Sequence, residues 1–474
     1  MFLQRYYLNC LAHASYLVAD EETKTAAVID PQRDIDQYLV DAAEHGFQIK
    51  YVFLTHFHAD FVAGHIELRK KTGAKIYLGA RAEAEYEFVP LKEGDVVEFG
   101  HVRLSVLETP GHTPESISIL LYDLERSQDR PFAVFTGDTL FVGDVGRPDL
   151  LASIGVTADE LAKMLYGSLQ KLMELPDDVR VYPAHGAGSL CGKQLGDDPY
   201  TTIGDQRKYN YALQPMSRSE FVALVTANQP EAPSYFLHDA MLNRQERPSL
   251  DEALKQSLVP LELEEVLELQ RSGAQVIDTR APADFAGAHL VGSINIGLDG
   301  KYAHWCGTLL DKSKPIVVIA EHGREEESIM RLGRIGFDHA KGYLRGGVEV
   351  LQQHPELIGV IDRMTAADLV ERLDGREPPT VLDVRSESEW RAGHIAGSLH
   401  IPLPHLEERL DEIPTDGTLV VHCQGGYRSS IAASLLERAG RKNVFDLVGG
   451  MMAWHASHLP VVEATQAGAG ATTQ

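Results

Sequence analysis

The chain has 474 residues, of which 44% are hydrophobic and 24% charged, a globular composition too long for one ordinary core. Its formal net charge of −25 argues against nucleic acid and anionic membranes as partners, since no basic surface is available to meet their phosphates. With no signal peptide, bilayer-spanning apolar run or CxxC pair, the sequence predicts a cytoplasmic protein of about three domains with reduced thiols.

In residues 1–245, short apolar runs end in polar residues, as in Tyr51–Thr55 and Ala133–Thr136. Four histidines and two aspartates stand at or just after such run ends: His56, His58, Asp60, His112, Asp138 and His185. If the runs are strands of a sheet, their ends share an edge where a rigid scaffold can position loop residues. The recurrence of imidazole and carboxylate groups there predicts a metal centre.

The pattern His-x-His-x-Asp at residues 56–60, with the later histidines and aspartate, resembles the metallo-β-lactamase superfamily. The resemblance covers nearly all of residues 1–245 and implies an αββα sandwich. In dinuclear members of that superfamily, a further histidine follows the aspartate and helps to hold a second metal ion. This chain has Phe61 at that position, and because phenylalanine cannot coordinate, the sequence favours a single metal ion.

The segment 137–149 is similar to the persulfide dioxygenase branch of the superfamily. This resemblance implies one Fe(II) per chain, bound by two imidazoles and one carboxylate in the facial triad of O₂-using iron enzymes: His56, His112 and Asp138. Four further residues would then orient the ligands or face the substrate: His58, Asp60, His185 and Cys191. An incidental buried thiol remains the alternative for Cys191. A hydrolytic zinc site also remains open, because the same ligands can activate water.

The C-terminal half contains an internal repeat of about a hundred residues. Val276–Arg280 is echoed by Val381–Arg385, and at the same offset Phe285 answers Trp390 and His289 answers His394. Each copy alternates apolar β-branched runs with helical patterns, which predicts α/β domains with parallel sheets. We therefore expect a linker near residues 244–256, domains at 258–356 and 363–462, and a disordered tail at 463–474.

In the second copy, Cys423 follows the predicted strand Leu419–His422 and precedes a helix that begins near Ser429. Loop N–H groups and the helix N-terminus would stabilise its thiolate and a bound persulfide, and Arg428 would attract an anionic sulfur species. The predicted cradle comprises Gln424, Gly425, Gly426, Tyr427 and Ser429. The loop and its flanking motifs resemble the rhodanese family across residues 363–462, which implies sulfur transfer through a cysteine persulfide.

The first copy keeps the frame of the repeat but lacks the thiol. Ile319 and Ala320 are the positions nearest to Cys423 in register, and three consecutive glutamates at 325–327 would repel anionic sulfur. We predict a catalytically silent pseudo-rhodanese, which acts as a spacer or docking domain.

The domain order resembles the CstB-type persulfide dioxygenase–rhodanese fusions. The resemblance implies iron-dependent oxidation of a low-molecular-weight thiol persulfide by O₂ to sulfite, coupled to making or consuming thiosulfate, in sulfide and persulfide detoxification. Two alternatives remain: a zinc thioesterase of the glyoxalase II kind with rhodanese domains, and a non-oxidative sulfur-relay protein. The carrier thiol, the direction of sulfur transfer and the oligomeric state, a homo-oligomer included, stay open.

Overall fold

The computed structural model describes residues 1–150, 155–227, 229 and 231–463, and the chain divides into two compact units. The first unit comprises Met1–Leu254 with the segment Met330–Asp338, and the second comprises Lys255–Ile329 with the chain from His339 onward. Residues 464–474, nearly all of the predicted disordered tail, lie outside the described part of the chain. Every helix among the described residues is too short or too polar to cross a bilayer.

Two six-stranded sheets form the first unit. The first sheet runs in chain order through β1 (Phe2–Leu8), β2 (His13–Ala19), β3 (Thr25–Ile29), β4 (Gln48–Phe53), β5 (Lys75–Gly79) and β6 (Val89–Leu91). Its first two pairings are antiparallel and the rest are parallel. The second sheet contains β7 (Val96–Phe99), β8 (Val102–Glu108), β9 (Ile117–Asp123), β10 (Ala133–Gly137), β11 (Arg180–Pro183) and β12 (Thr201–Thr202). Only β10 and β11 pair in parallel there.

The two sheets pack face to face through one apolar cluster, which includes Tyr16, Phe53, Leu104, Ile119 and Phe135. Helices pack on the outer faces: α1 (Asp36–His45) and α2 (His65–Thr72) on the first sheet, and α3 (Ala158–Leu172), α4 (Ile203–Tyr209) and α5 (Arg218–Thr226) on the second. Two further helices follow in the chain, α6 (Phe236–Leu242) and α7 (Leu250–Ser257). The amphipathic helix α3 begins at a capping box, in which the Thr157 hydroxyl accepts the Glu160 N–H and the Glu160 carboxylate accepts the Thr157 N–H. The predicted αββα sandwich is confirmed.

The segment Met330–Asp338 joins the first unit through buried ion pairs. The fully buried Arg33 donates to Asp338 in a bidentate pair, with Nη1–Oδ1 at 2.5 Å and Nη2–Oδ2 at 2.7 Å. Arg334 makes a second such pair with Asp34, at 2.9 and 2.6 Å. The segment lies within the range predicted for the first repeat, so the compact units do not follow the predicted domain boundaries, which stay a prediction.

The second unit contains two five-stranded parallel sheets of the same strand order. The middle copy contributes β13 (Pro260–Leu261), β14 (Gln275–Asp278), β15 (His289–Leu290), β16 (Ile294–Asn295), β17 (Ile316–Ile319), β18 (Ala340–Leu344), β19 (Ile358–Gly359), α8 (Leu263–Arg271), α9 (Pro282–Gly287), α10 (Tyr302–Leu309) and α11 (Glu325–Gly333). The C-terminal copy contributes β20 (Asp362–Met364), β21 (Thr380–Asp383), β22 (Leu399–His400), β23 (Leu419–His422), β24 (Val444–Leu447), α12 (Ala366–Leu373), α13 (Glu387–Ala392), α14 (Tyr427–Arg438) and α15 (Gly450–Ala456). The predicted pair of parallel α/β domains is confirmed.

Candidate metal centre and cysteine loop

The sandwich of the first unit brings the predicted metal ligands together at the ends of its strands. His56 follows β4, His112 lies between β8 and β9, Asp138 follows β10, and His185 follows β11. All four side chains are at most 2% exposed. The carboxylate of Asp138 lies between the imidazoles: its Oδ2 is 3.5 Å from His112 Nε2 and 3.8 Å from His56 Nε2. Ligand atoms of His56, His112 and Asp138 all lie within 4.8 Å of one another.

Backbone and hydroxyl oxygens fix the orientation of these imidazoles. His112 Nδ1 lies 2.9 Å from the carbonyl oxygen of Arg147, which can only accept, so the ring donates through Nδ1. His56 Nδ1 lies 3.0 Å from Thr55 Oγ1, whose own proton goes to the Asp30 carboxylate. Each ring therefore presents its unprotonated Nε2 towards Asp138. This arrangement, in which an outer oxygen fixes the tautomer of the ring, is typical of metal-binding histidines.

The polar groups at this centre fit a bound cation. Among the described residues, both carboxylate oxygens of Asp138 and Nε2 of His185 are buried without a hydrogen-bond partner. Burial, and then the Asp60 charge, raise the pKa of Asp138 well above its usual range. Burial lowers the pKa of His112 to about 4, so that its ring is neutral at pH 7, as coordination requires. A metal ion would compensate these buried oxygens and use these neutral nitrogens.

A second group of ligand atoms lies beside the first and consists of His58, Asp60 and His185. His185 Nε2 is 3.6 Å from Asp60 Oδ2 and 3.5 Å from Asp138 Oδ1, so it faces both groups. His58 Nε2 is 3.0 Å from Asp30 Oδ1. Burial raises the pKa of Asp60 to about 7. These residues stand next to the predicted triad, in position to orient its ligands or to hold a second cation.

Phe61 fills space at the second group with an apolar ring. It is 1% exposed, and its ring centroid lies 4.5 Å from that of His58 and 4.0 Å from that of His13. His13 is fully buried and fixed by the carbonyl oxygens of Asp30 and Ala184. Sequence reasoning did not assign His13 or Asp30 to the centre, although Asp30 ends an apolar run of the kind that pointed to the predicted ligands.

Cys191 is part of the same centre. It is 1% exposed, and its Sγ forms a third ligand group with Asp138 and His185, all within 4.8 Å. Burial, and then the carboxylates nearby, raise the pKa of the Cys191 thiol well above its usual range. The buried Asp144 holds the loop that carries it by accepting the N–H groups of Lys193 and Gln194 at 2.6 and 2.7 Å. Cys191 is therefore positioned near the predicted ligands.

The cysteine of the C-terminal copy lies at the predicted strand-to-helix turn. Cys423 directly follows β23, is 2% exposed, and accepts the Gly426 N–H at Sγ over 3.1 Å. Gly426 has φ +101°, a conformation that favours glycine, and it directly precedes α14. A Cβ on Gly450 would lie 2.3 Å from the Cys423 carbonyl oxygen, so position 450 must also be free of a side chain. The backbone thus curls closely around the thiol.

Side chains on both sides of the loop complete this site. Ser429 Oγ lies 3.6 Å from Cys423 Sγ and donates to Asp446 Oδ1 at 2.6 Å. Arg428 pairs with Glu389 through two hydrogen bonds of 2.7 Å. Burial would raise the pKa of Glu389, but the Arg428 hydrogen bonds and charge lower it to about 2. Sequence reasoning overlooked Glu389 and Asp446, which come from distant strands and helices.

The remaining cradle residues are held by the ends of the loop. The Gln424 carbonyl oxygen accepts the Met452 N–H at 2.9 Å, and Gly425 is exposed at the rim. The Tyr427 hydroxyl donates to the carbonyl oxygen of Gly297, in the middle copy, at 2.7 Å. All five predicted cradle residues therefore lie in the turn around Cys423 or in the first turn of α14.

The sequence matches two protein families. Residues 8–185 match the metallo-beta-lactamase superfamily, and residues 262–354 and 365–457 each match the rhodanese-like domain. A hydroxyacylglutathione hydrolase of Polaromonas sp. is 31% identical over 254 residues, which cover 48% of this chain and 89% of that protein. The mitochondrial persulfide dioxygenase ETHE1 of Homo sapiens is 29% identical over 215 residues, which cover 44% and 75% of the two chains.

A similar solved structure covers more of the chain. A crystal structure described as a metallo-beta-lactamase from Staphylococcus aureus subsp. aureus COL superposes with a TM-score of 0.65 at 31% identity. The match covers 72% of this chain and 98% of that one.

Proposed function

Because the chain belongs to the metallo-β-lactamase superfamily and carries two rhodanese-like domains, we propose that it oxidises a low-molecular-weight thiol persulfide to sulfite and transfers sulfur through Cys423. The chain is an enzyme of sulfur metabolism, and the iron-dependent reaction and its coupling to Cys423 are the proposal. The observation that carries it is the buried cluster of His56, His112 and Asp138, on one chain with a rhodanese cysteine loop. This is the activity of a CstB-type fusion.

The cluster fits one Fe(II), with His56, His112 and Asp138 as ligands. When bound, the metal would supply the Lewis-acid and redox chemistry that joins O₂ to the terminal sulfur of the persulfide. Overall, RSSH, O₂ and water give RSH, sulfite and two protons. The Arg147 carbonyl holds His112 in one tautomer, and the Asp60 carboxyl, whose pKa burial raises to about 7, can accept a proton beside the centre.

At the second site, the Cys423 thiolate attacks the outer sulfur of a donor such as thiosulfate. A new S–S bond forms on Cys423, the old S–S bond breaks, and sulfite leaves with the electron pair. The Gly426 N–H, which already donates to Sγ, would stabilise the negative charge on the persulfide. Run in reverse, the same step combines sulfite with the Cys423 persulfide to give thiosulfate.

The test of the metal reaction combines anaerobic metal analysis with O₂ uptake. The His112→Ala variant should lose iron and O₂ consumption with a small persulfide, yet keep thiosulfate sulfurtransfer, because Cys423 lies in the other compact unit. The matched control is His101→Ala, which removes a 40% exposed histidine of the same unit and should keep both activities. Two tightly bound metal ions in the native protein would contradict the single-iron proposal.

The coupling has its own experiment. Cys423→Ser nearly keeps the shape of the side chain but removes the soft nucleophile, so the variant should still consume O₂ and accumulate sulfite in place of thiosulfate. Unchanged thiosulfate output, after subtraction of the uncatalysed exchange, would mean that sulfur passes by another residue. Cys191, beside Asp138 and His185, would then be the next residue to test.

The second ligand group favours one alternative function. His58, Asp60 and His185 could hold a second cation next to the first, as a hydrolytic centre of the glyoxalase II kind would require. Such an enzyme would cleave a hydroxyacyl thioester with zinc bound and would consume no O₂. A sulfur-relay protein, the remaining alternative, would transfer sulfur after all metal is removed and would neither cleave thioesters nor take up O₂.

A further inference from the structure

Two hydrogen bonds in series lead from the Cys423 thiol into the interior of the C-terminal copy. The thiol donates to Ser429 Oγ over 3.6 Å, and the Ser429 hydroxyl donates to Asp446 Oδ1 at 2.6 Å. All three side chains are at most 2% exposed. Cys423 follows β23, Ser429 lies in the first turn of α14 and Asp446 lies on β24, so three separate elements build one buried path from sulfur to carboxylate.

The middle copy lacks this path. The strand register aligns Asp446 with Tyr343. Three residues after the turn glycine, the C-terminal copy has Ser429 and the middle copy has the exposed Glu326. Of the two copies, which the structure describes in full, only the one with the thiol has the buried serine and carboxylate. A buried carboxylate costs free energy unless it is paired, and the fold that both copies share does not require it.

Asp446 has the surroundings of a proton acceptor that works near neutral pH. Burial raises the pKa of Asp446 to about 6, although the Ser429 hydrogen bond and then the Arg363 charge act to lower it. Arg363 Nε lies 3.4 Å from the second carboxylate oxygen, Oδ2, and its side chain is 32% exposed. The carboxylate can therefore bind and release a proton within the pH range in which the thiol reacts.

The other charged groups on the elements around Asp446 face different partners. These elements are β20, β23 and α14. Arg428 of α14 is bound by Glu389, and His422 of β23 has its Nε2 3.5 Å from Asp383 Oδ2. The groups that act most directly on Asp446 are therefore the thiol, through Ser429, and the guanidinium of β20. The remaining charged residues on these elements are the exposed Asp362 and, at the far end of α14, Glu437 and Arg438.

We propose that Ser429 and Asp446 form a proton relay, in which Asp446 takes up, through Ser429, the proton that the Cys423 thiol loses before it accepts sulfur. The proposal rests on the proposed sulfurtransferase function of Cys423. The S–H bond breaks, its proton passes to Ser429 Oγ, and the Ser429 proton passes to Asp446 Oδ1. The thiolate then attacks the outer sulfur of thiosulfate: a new S–S bond forms, the old S–S bond breaks, and sulfite leaves with its electron pair.

The relay reverses the direction of both hydrogen bonds. Protonated Asp446 donates to Ser429, and the Ser429 hydroxyl donates to the sulfur instead of accepting from it. The Gly426 N–H already donates to Sγ at 3.1 Å, so the thiolate has two donors. The buried site carries the same total charge before and after the transfer, because the carboxylate becomes neutral as the sulfur becomes anionic. Burial therefore opposes this ionisation less than it would oppose loss of the proton to solvent.

The experiment is the pH dependence of kcat/KM for sulfurtransfer from thiosulfate to cyanide by the full-length protein. The native value should rise with pH through about 6, as Asp446 becomes able to accept a proton. Asp446→Asn removes the acceptor, so this rise should disappear and kcat/KM at pH 7 should fall about a hundredfold. Alkylation of Cys423 by iodoacetamide, followed on its own peptide by mass spectrometry, should lose the same rise. Ser429→Ala interrupts the path and should give the same profile as Asp446→Asn.

Arg363→Gln tests the same titration from the surface of the copy. It removes the cation that lowers the pKa of Asp446, so the rise in kcat/KM should move to higher pH by about 0.5. The matched control is Arg376→Gln, which removes an exposed arginine from a loop of the same copy and should leave the profile unchanged. Because Arg363 is partly exposed, this variant should keep the native melting temperature and decides the question even where Asp446→Asn fails to fold.

Two results overturn the relay. One is a rise near pH 6 that persists in folded Asp446→Asn, and the other is a profile that Arg363→Gln does not move. Failure of the native protein to transfer sulfur from thiosulfate would instead overturn the proposed function. The alkylation profiles do not depend on thiosulfate, so they would still show whether Asp446 accepts the proton of the thiol.

Discussion

The two rhodanese-like copies have the same frame and differ at one turn. In each, an arginine binds an aspartate two residues before it: Arg280 donates to Asp278 and Arg385 to Asp383, with Nε–Oδ1 at 3.0 Å and Nη2–Oδ2 at 2.6 Å in both pairs. The predicted aromatic correspondence also holds, because each copy stacks its histidine on the preceding ring, with centroids 3.8 and 3.9 Å apart. These repeated contacts stabilise the fold, since they occur with and without the thiol.

The strand register identifies the residue that stands at the position of the thiol. Asp278 pairs with Ile319 across β14 and β17, and Asp383 pairs with His422 across β21 and β23. The next residue is Ala320 in one copy and Cys423 in the other. The middle copy therefore has a methyl group at the place of the sulfur, and the register selects Ala320 from the two positions, Ile319 and Ala320, that the sequence left open.

The turn after this position shows that loss of the thiol is accompanied by a second change. Gly426 lies three residues after Cys423, and Gly323 lies three residues after Ala320; their φ angles are +101° and +87°. The Gly426 N–H donates to Cys423 Sγ, whereas the Gly323 N–H donates to a carboxylate oxygen of Glu325 at 2.8 Å. In the middle copy, a carboxylate of the chain thus accepts from the N–H group that corresponds to the one donating to sulfur in the C-terminal copy. The comparison teaches that the middle copy lacks the thiol and that the equivalent N–H group has a carboxylate acceptor instead.

The largest effect should come from the thiol itself. Cys423→Ser should lower thiosulfate-to-cyanide sulfurtransfer of the full-length protein to below about one thousandth, because a serine hydroxyl is a poor nucleophile for sulfane sulfur. The matched change Ala320→Ser should leave the rate unchanged. Substantial turnover in the Cys423→Ser variant would show that the middle copy, or another cysteine, transfers sulfur.

The buried arginine–aspartate pair should contribute equally to the stability of both copies. Arg385→Met and Arg280→Met each leave a buried aspartate without its partner, so each should lower the free energy of unfolding of its copy by about 3 kcal/mol. Thermal unfolding followed by limited proteolysis can assign the loss to a copy. Arg391→Met, which removes a 66% exposed arginine of α13, should cost about 0.5 kcal/mol or less. A much smaller loss of unfolding free energy for Arg280→Met would show that the arginine–aspartate pair does not stabilise the two copies equally.

A thiol introduced into the middle copy should remain poorly reactive until the Gly323 N–H is released from Glu325. Ala320→Cys in the Cys423→Ser background should alkylate slowly with iodoacetamide, because Glu325 holds the Gly323 N–H and adds negative charge. Adding Glu325→Ala should raise the alkylation rate about tenfold. Adding Glu326→Ala instead removes an exposed charge without freeing that N–H, and should have less effect. Equal increases in alkylation rate from the two changes would mean that the loss of a negative charge, and not release of the Gly323 N–H, causes the effect.

The last effect depends on pH and concerns Asp446, which the register aligns with Tyr343 of the middle copy. Burial raises the pKa of Asp446 from 3.8 to about 6, despite the hydrogen bond from Ser429. The folded state therefore holds a proton more tightly than the unfolded state, and the native protein loses this stability as pH rises through about 4 to 6. The Asp446→Asn variant has no such group to titrate, so its stability relative to the native protein should increase over that pH range by about 3 kcal/mol.

Chemical denaturation at several pH values measures this difference. The exposed Asp362→Asn on β20 serves as the control and should show a nearly constant difference from the native protein. A difference for Asp446→Asn that does not change with pH would mean that the carboxyl keeps its ordinary pKa in the folded state.

Much of the fold and of the candidate sites follows from local sequence patterns. The two parallel sheets could be predicted because apolar runs, helical patterns and the repeat are features of the sequence itself. The αββα sandwich was implied by the resemblance of the His-x-His-x-Asp pattern to a known superfamily. Four candidate ligands could be singled out because each follows a different strand: His56, His112, Asp138 and His185. The oxygen atoms that orient these side chains could not be predicted, because any backbone carbonyl can accept a hydrogen bond. Nothing in the residue type of Arg147 indicates that its carbonyl binds His112.

The sequence by itself determined the thiol and its absence: one repeat has a cysteine after the strand, and in the other neither of the nearest positions, Ile319 and Ala320, is a thiol. Only the tertiary structure decided what surrounds that cysteine. Asn295 donates to Ser434 on α14, and Tyr427 donates to the Gly297 carbonyl oxygen and packs against Gly300. These contacts join residues more than 120 positions apart in the chain. Such contacts depend on which surfaces of the two copies pack together. Periodicity and residue spacing do not determine this packing, so the contacts could not be predicted before the folded structure was known.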